Sequence, residues 1–442
     1  MKKLIIAIIA VTVSAMLLLG GCVNLSGVDG KDGRDGKDVS IREIFEEANN
    51  ERKKDGLEEL DFLEFIEEYL NYDSSTIENS VSLQTNINNS LRSAVSVRAD
   101  FTVTSYSWGK PITQTQTYFG GGVIIDLDKE SGNALAVTNC HVVYNENATK
   151  RISQNVYLYL YGQDDDYTNP NCAISAKVIG ASQTYDIALL KVENNDILKN
   201  SDALAANFDK SDDVYTGETV YAIGNPEGYG MSATQGIISK ESETISINLS
   251  SSSYLQNIKE YRVIRTDAAI NSGNSGGGLF NRAGKLVGIV NSKSGESDVD
   301  NMGFALPSSN VRRLVNLMLD SYNSNGFSGS NGIVRAYLKA EYTSQPKASK
   351  WNESKGVYEI YESVSINVAA DGLEVGDSVR AIKLLDGNGD VVEDREVTRL
   401  YHLDDVLLSA RTGYTAEVTV SRGGSEQVIS VPITASHFVS MD

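Results

Sequence analysis

The sequence predicts a mostly β protein, on three observations. Short apolar runs of strand length recur through the middle of the chain, turn residues separate them, and no helical period of useful length interrupts them between about Ser93 and Pro307. The runs are Val95–Val103, Gly122–Leu127, Ala134–Thr138, Val156–Tyr161, Ala176–Ile179, Ile187–Val192, Thr219–Ile223, Thr234–Ile238, Tyr261–Arg265, Gly278–Phe280 and Leu286–Asn291. Strands this short and this numerous argue for a barrel or sandwich. The 442 residues suffice for two or three domains.

Composition narrows the function. With 41% hydrophobic residues, 22% charged, 38 Gly and 6 Pro, most of the chain should fold. Asp and Glu number 59 against 39 Lys and Arg, a net charge of −20 that repels phosphate backbones and argues against a nucleic-acid partner. Three Cys (22, 140, 172) and three His (141, 402, 437) show no spacing that gathers metal ligands, so no metal and no cofactor is expected.

At the front, Lys2 and Lys3 precede an apolar run from Leu4 to Leu19, the pattern of a secretory signal; an uncleaved anchor helix is the alternative. Leu19-Gly20-Gly21-Cys22 resembles a bacterial lipobox, which makes residues 1–22 a lipoprotein signal, Cys22 the lipidated residue, and the chain an extracytoplasmic protein held at the cell membrane. Residues 23–40 place Gly27, Gly30, Gly33 and Gly36 every third position, too few triplets without proline for a collagen helix, and read as a solvated spacer. Residues 41–75 carry apolar residues at helical spacing, from Ile41 to Leu70, and predict a short helical hairpin that turns at Lys53–Gly56; 76–92 read as a linker.

Three sites within 93–322 carry chemistry. His141 ends an apolar strand, Asp186 begins another, and Ser275 lies in the glycine-dense Asn271–Gly278. Singly each has a bland structural explanation. Together they supply acyl transfer: a serine hydroxyl needs a base that titrates near neutrality, and the base needs a carboxylate to hold its tautomer and stabilise its cation. The oxygen of the tetrahedral intermediate needs converging N–H groups, which the Gly273-Asn274-Ser275 backbone offers, chiefly the amides of Gly273 and Ser275. Gly273–Gly277 also satisfies the G-x-S-x-G nucleophile elbow, but that arrangement needs alternating helices and a downstream histidine. The order His, Asp, Ser is that of the chymotrypsin-like double β-barrel.

Thr138–Val143 (TNCHVV), Asp186–Val192, Ala222–Gly230, Thr234–Lys240, Thr266–Asn281 (TDAAINSGNSGGGLFN), Gly284–Ser292 and Gly303–Val311 resemble, in colinear order, the landmarks of the HtrA (high-temperature-requirement A, Deg) family of serine proteases. The resemblance implies His141 as general base, Asp186 as its orienting acid, Ser275 as nucleophile and Gly273, Asn274 and Ser275 as the oxyanion hole. Cys140 stands where the family commonly has Asn, and Gly278 where proline or alanine is usual; Cys140 and Cys172 are left open between a disulfide and free thiols. Ala269, six residues before the nucleophile, offers no acid to select Lys or Arg. By resemblance Ile270, Ile289, Val290 and Asn291 wall a shallow apolar pocket. Assembly as a homotrimer is a further implication.

Asn310–Tyr322 predicts a helix and 323–332 a linker. The rest, 333–442, resembles a PDZ domain, a small α+β module, with Gly372–Asp377 its most diagnostic stretch and Tyr337-Leu338-Lys339-Ala340 at the position of the carboxylate-binding loop. His402 and His437 are expected to be packing or surface residues. The whole implies a serine endopeptidase acting on unfolded or misfolded envelope and secreted proteins; the alternative is a catalytically silent peptide-binding adaptor or holdase on the same fold.

Overall fold

The computed structural model describes residues 83–440 apart from 109, 165, 210–213, 249–257, 294–301, 328–333 and 346–347, together with 49–50 and 52–54. The signal segment, Cys22, the spacer and most of the expected hairpin lie outside the described residues. Residues 49–50 and 52–54 are helical, so the expected turn at Lys53–Gly56 is not one at Lys53 and Lys54. The chain divides into two units, Met1–Asn86 and Ile87–Asp442. Part of the expected linker is also helical: α1 (Leu83–Leu91) spaces Leu83, Ile87 and Leu91 four apart, a single apolar face that the Ser- and Asn-rich composition conceals.

The second unit contains two closed barrels, the chymotrypsin-like arrangement. The first comprises β1 (Ala94–Ser107), β2 (Lys110–Asp128), β3 (Asn133–Thr138), β4 (Asn155–Leu160), β5 (Ile174–Ser182) and β6 (Ile187–Val192), closing in the order β1-β2-β3-β6-β5-β4. Period-two alternation fills it: Val95, Val97, Ala99 and Phe101 of β1 meet Leu158, Val178 and Leu190. The second comprises β7 (Thr219–Gly224), β8 (Ser232–Asn248), β9 (Ile258–Thr266), β10 (Gly278–Asn281), β11 (Leu286–Lys293) and β12 (Gly303–Pro307), closing as β10-β11-β12-β9-β8-β7 around Val220, Ile238, Ile264, Leu279 and Val290. Each such buried aliphatic side chain stabilises the fold by about 1.5–3 kcal/mol.

Every strand expected in this region forms. Two features go unread: β12, too short to show a period, and the extension of β1 and β2 into an exposed ribbon past Val103. Helix α2 (Cys140–Val143) is a single turn after β3, and α3 (Ser308–Asn325) buries Val311, Leu314, Val315 and Met318. Gly326, at φ 67°, ends α3 by donating its N–H to Tyr322 O.

C-terminal to it, β13 (Val334–Ala336) pairs with β22 (Phe438–Ser440), and β15 (Ala348–Asn352) with β16 (Val357–Tyr361), a hairpin the sequence did not announce. A further sheet runs β14 (Glu341–Ser344), β17 (Val364–Val368), β18 (Ser378–Leu385), β20 (Thr415–Arg422), β21 (Ser425–Pro432), with β19 (Val391–Glu396) on β18 and helix α4 (Tyr401–Leu407) packed beside it. Buried charges fasten this region to the barrels. Arg262 on β9 meets Asp405 on α4 at 2.7 Å, Asn310 donates to the same carboxylate at 2.9 Å, and Arg335 joins Asp404 at 3.0 Å and Tyr185 at 3.4 Å. Removing one partner of a buried pair strands the other's charge, which is why such contacts hold a docked position.

Candidate active site

β3 pairs with β6 so that Thr138 lies opposite Ala188, which brings the end of one strand to the start of the other. The chain leaves β3 in the α2 turn, where Cys140, Val142 and Val143 point inward and are buried. His141 is left facing the cleft, its side chain 49% exposed. Asp186 immediately precedes β6 with φ 49°, a left-handed conformation that costs a non-glycine residue energy and is sustained by its surroundings. Its carboxylate accepts the His141 N–H at 2.9 Å and faces His141 Nδ1 at 2.7 Å.

Asn139 holds the same residue from behind. Its Nδ2 donates to the Asp186 carbonyl at 2.7 Å and to Asn291 Oδ1 at 2.6 Å, and Asn291 Nδ2 in turn donates to Tyr261 OH. This buried chain joins the two barrels beneath the histidine. Burial opposes protonation of His141, but the charge of Asp186 and its hydrogen bond outweigh it, and the imidazole pKa lies above its ordinary value. Burial, then the Asp186 charge, also push the Tyr261 phenol up.

Ser275 reaches this place from the other barrel. Its carbonyl accepts the Gly121 N–H at 2.8 Å, and Thr138 Oγ1 donates to Gly121 O at 2.7 Å. Gly120 is wedged between Val142 of the histidine turn and Ser275: a Cβ there would stand 2.6 Å from Val142 Cγ2 and 2.9 Å from Ser275 O. Gly276 takes φ 85°, and a Cβ on it would fall 2.9 Å from Asn139 N, so both space and conformation require glycine. The run Gly120-Gly121-Gly122 inside a strand was the legible sign of this close approach.

Around the serine the backbone donors sort themselves. Asn274 N–H goes to Asn271 O at 3.0 Å, Gly276 N–H to Val290 O at 2.8 Å and Gly277 N–H to Asn274 O at 2.9 Å. The amides of Gly273, at φ 94°, and Ser275 have no acceptor among the described residues. Asn274 is therefore not itself a free donor; the residues on either side of it are. His141 Nε2 likewise has no partner among the described residues.

The residues of the expected specificity pocket are mostly buried. Ile270, Ile289 and Val290 are buried, with Ile270 and Val290 in the second barrel's core. Asn291 serves the inter-barrel chain through Asn139 and Tyr261. Ala269 alone is exposed, and its carbonyl accepts Thr234 Oγ1 at 3.0 Å. Cys140 and Cys172 are not joined in a disulfide.

In the C-terminal region, the loop Tyr337–Ala340 lies between β13 and β14, with Leu338 and Ala340 buried. Two of its donors are engaged: Tyr337 N–H goes to His437 O at 2.9 Å and Lys339 N–H to Asp371 Oδ2 at 2.9 Å. Asp371, at φ 56°, also faces His437 Nε2 at 3.3 Å.

A family model described as a trypsin-like peptidase domain matches residues 120–289, from the wedged glycine to β11. The chain is 33% identical over 325 residues to a serine protease Do-like HtrA of Bacillus subtilis, covering 72% of this chain and 64% of that one. To a serine protease Do-like HtrA of Lactobacillus helveticus it is 32% identical, covering 72% of this chain and 69% of that one. The chain thus spans about two thirds of the length of these relatives. A solved HtrA-type protease, AlgW with a decapeptide, aligns at 22% identity with a TM-score of 0.46, over 80% of this chain and 98% of that one.

Proposed function

The chain belongs to the Do-like HtrA family of trypsin-like serine proteases, and from that premise we propose that it is a serine endopeptidase working through His141, Asp186 and Ser275. The observation that carries the reading is the cleft-facing imidazole with Nδ1 committed to Asp186, on a turn that Gly120 packs against Ser275. Ser275 Oγ attacks the scissile carbonyl as its proton passes to His141 Nε2, and the Nδ1–H bond to Asp186 stabilises the imidazolium. The oxyanion meets the Gly273 and Ser275 amides. The imidazolium then protonates the departing amine, and water, activated by the same nitrogen, hydrolyses the acyl-enzyme.

Substrates are unfolded or misfolded extracytoplasmic proteins, cleaved after small apolar residues, since exposed Ala269 provides no carboxylate for Lys or Arg. A pocket of this kind discriminates by only about 1–3 kcal/mol per methylene, so exposure of the substrate backbone does most of the selection. Lipid attachment through Cys22 and homotrimer assembly belong to the same reading. The C-terminal module is PDZ-like, β14 being the edge strand of its sheet. A peptide carboxylate reaches the Lys339 amide only after Asp371 has left it.

A fluorophosphonate tests the proposal. It labels the native chain at one site and leaves Ser275→Ala unlabelled; a folded native chain that resists labelling and cleaves no unfolded protein is instead the silent adaptor.

A further inference from the structure

Beyond residue 103 the β1–β2 ribbon belongs to neither barrel. Register continues from Thr104↔Thr113 to Ser107↔Lys110, next to Trp108, while β4 stops pairing with β1 at Asp100. These last four pairs project about 13 Å of two-stranded ribbon, at about 3.3 Å per residue. The end is apolar and uncovered: Trp108 is 99% exposed, Tyr106 76% and Ile112 48%, with Pro111 beside them. Trp108 holds φ 53°, a conformation that disfavours bulky side chains, so an exposed indole is kept at the point of the ribbon without a contact to offset it.

Charge indicates the occupant. Among residues 101–119 the single charged side chain is Lys110, in a chain with 59 acids and a net charge of −20. An acidic body is repelled by an anionic bilayer, with a screening length of about 8 Å at physiological salt. The ribbon carries its aromatic end farther than that from the barrel. Tryptophan and tyrosine beside a lysine, on a backbone of Thr, Ser and Gln, suit the headgroup boundary, where an amphipathic ring buries its body and keeps its polar edge wet. We infer that the ribbon tip, Tyr106, Trp108, Lys110 and Ile112, inserts into the interface of an anionic lipid bilayer and holds the catalytic cleft at a fixed distance from it. The expected lipid on Cys22 brings the chain to the same surface, but the tip contact is separate from it.

The chain has two tryptophans, 108 and 351, which allows a direct test on the full protein. Trp351→Phe leaves Trp108 as sole reporter, and Trp108→Phe leaves Trp351. With phosphatidylglycerol vesicles, Trp108 emission shifts to the blue and is lost when the acyl chains carry bromine near the headgroup; Trp351 emission does neither. Tyr106→Ser with Ile112→Ser, built on Trp351→Phe, reduces both effects. Trp108 emission indifferent to vesicles overturns the inference. So does a shift that needs no lipid and grows with protein concentration, which assigns the tip to a second copy, or one seen only with unfolded protein, which assigns it to substrate. Fluorophosphonate labelling of the same samples establishes folding and reports the protease reading independently.

Discussion

Two histidine–aspartate pairs in this chain are built almost alike. Asp186 and Asp371 both lie at positive φ, 49° and 56°, and both accept a backbone N–H, from His141 and from Lys339 at 2.9 Å each. Each carboxylate faces an imidazole nitrogen, His141 Nδ1 at 2.7 Å and His437 Nε2 at 3.3 Å. They part at the far nitrogen. His437 is 4% exposed, and its Nδ1 accepts the Thr434 N–H at 3.1 Å. His141 offers its far nitrogen to the cleft. The shared arrangement is therefore a structural device, and proton transfer is available only where the second nitrogen is left open.

Substitution of the two histidines separates the pairs most widely. His141→Ala is expected to lower kcat on an unfolded protein by roughly 10⁶-fold. His437→Ala should leave the kcat of the folded fraction within about threefold, while urea denaturation registers a loss of about 1–3 kcal/mol from the unsatisfied Asp371 and Thr434 groups. Equal losses of kcat at both sites would break the comparison.

The aspartates sharpen it. Asp186→Asn should cost about 10⁴-fold in kcat, because the amide no longer selects the Nδ1–H tautomer. The raised pKa of His141 also places the acid limb of kcat/KM above the 6.5 of an ordinary histidine. Below that limb the imidazole is protonated and cannot act as a base, so activity rises with pH through it. Loss of the Asp186 charge should move the residual limb toward acid; a limb that stays in place would mean that another group titrates. Asp371→Asn should shift neither.

The smallest of these effects concerns Asn139, which bonds to Asp186 and not to Asp371. Asn139→Ala frees the Asp186 carbonyl and should lower kcat by about 10²-fold with KM little changed, the cost of an acid displaced by an ångström or less. A change confined to stability would make Asn139 a packing residue.

Much of this was legible in the chain. Period-two runs located the barrel strands, and the blocks around His141 and Asp186 contain the two groups that bond to each other. The Asn139 side chain, between two more conspicuous neighbours, and the bonds by which Asn291 links the two barrels had no local signal. The helix at Leu83–Leu91 was hidden by polar composition, and the β15–β16 hairpin carries little alternation because its side chains are largely exposed. His437, expected to be a packing or surface residue, is buried, in a pair whose likeness to His141 and Asp186 nothing local announced.

The sequence by itself determined which segments become strands, where the chain turns and which residues can do chemistry, because these depend on side-chain period and on neighbours a few positions away. Tertiary structure alone decided that Asp186 is held in a left-handed conformation, that Asn139 bonds across 152 positions to Asn291, and that one imidazole keeps an open nitrogen while the other loses both. Those outcomes are set by what distant strands bring into contact when the barrels close, and no stretch of sequence contains both sides of such a contact.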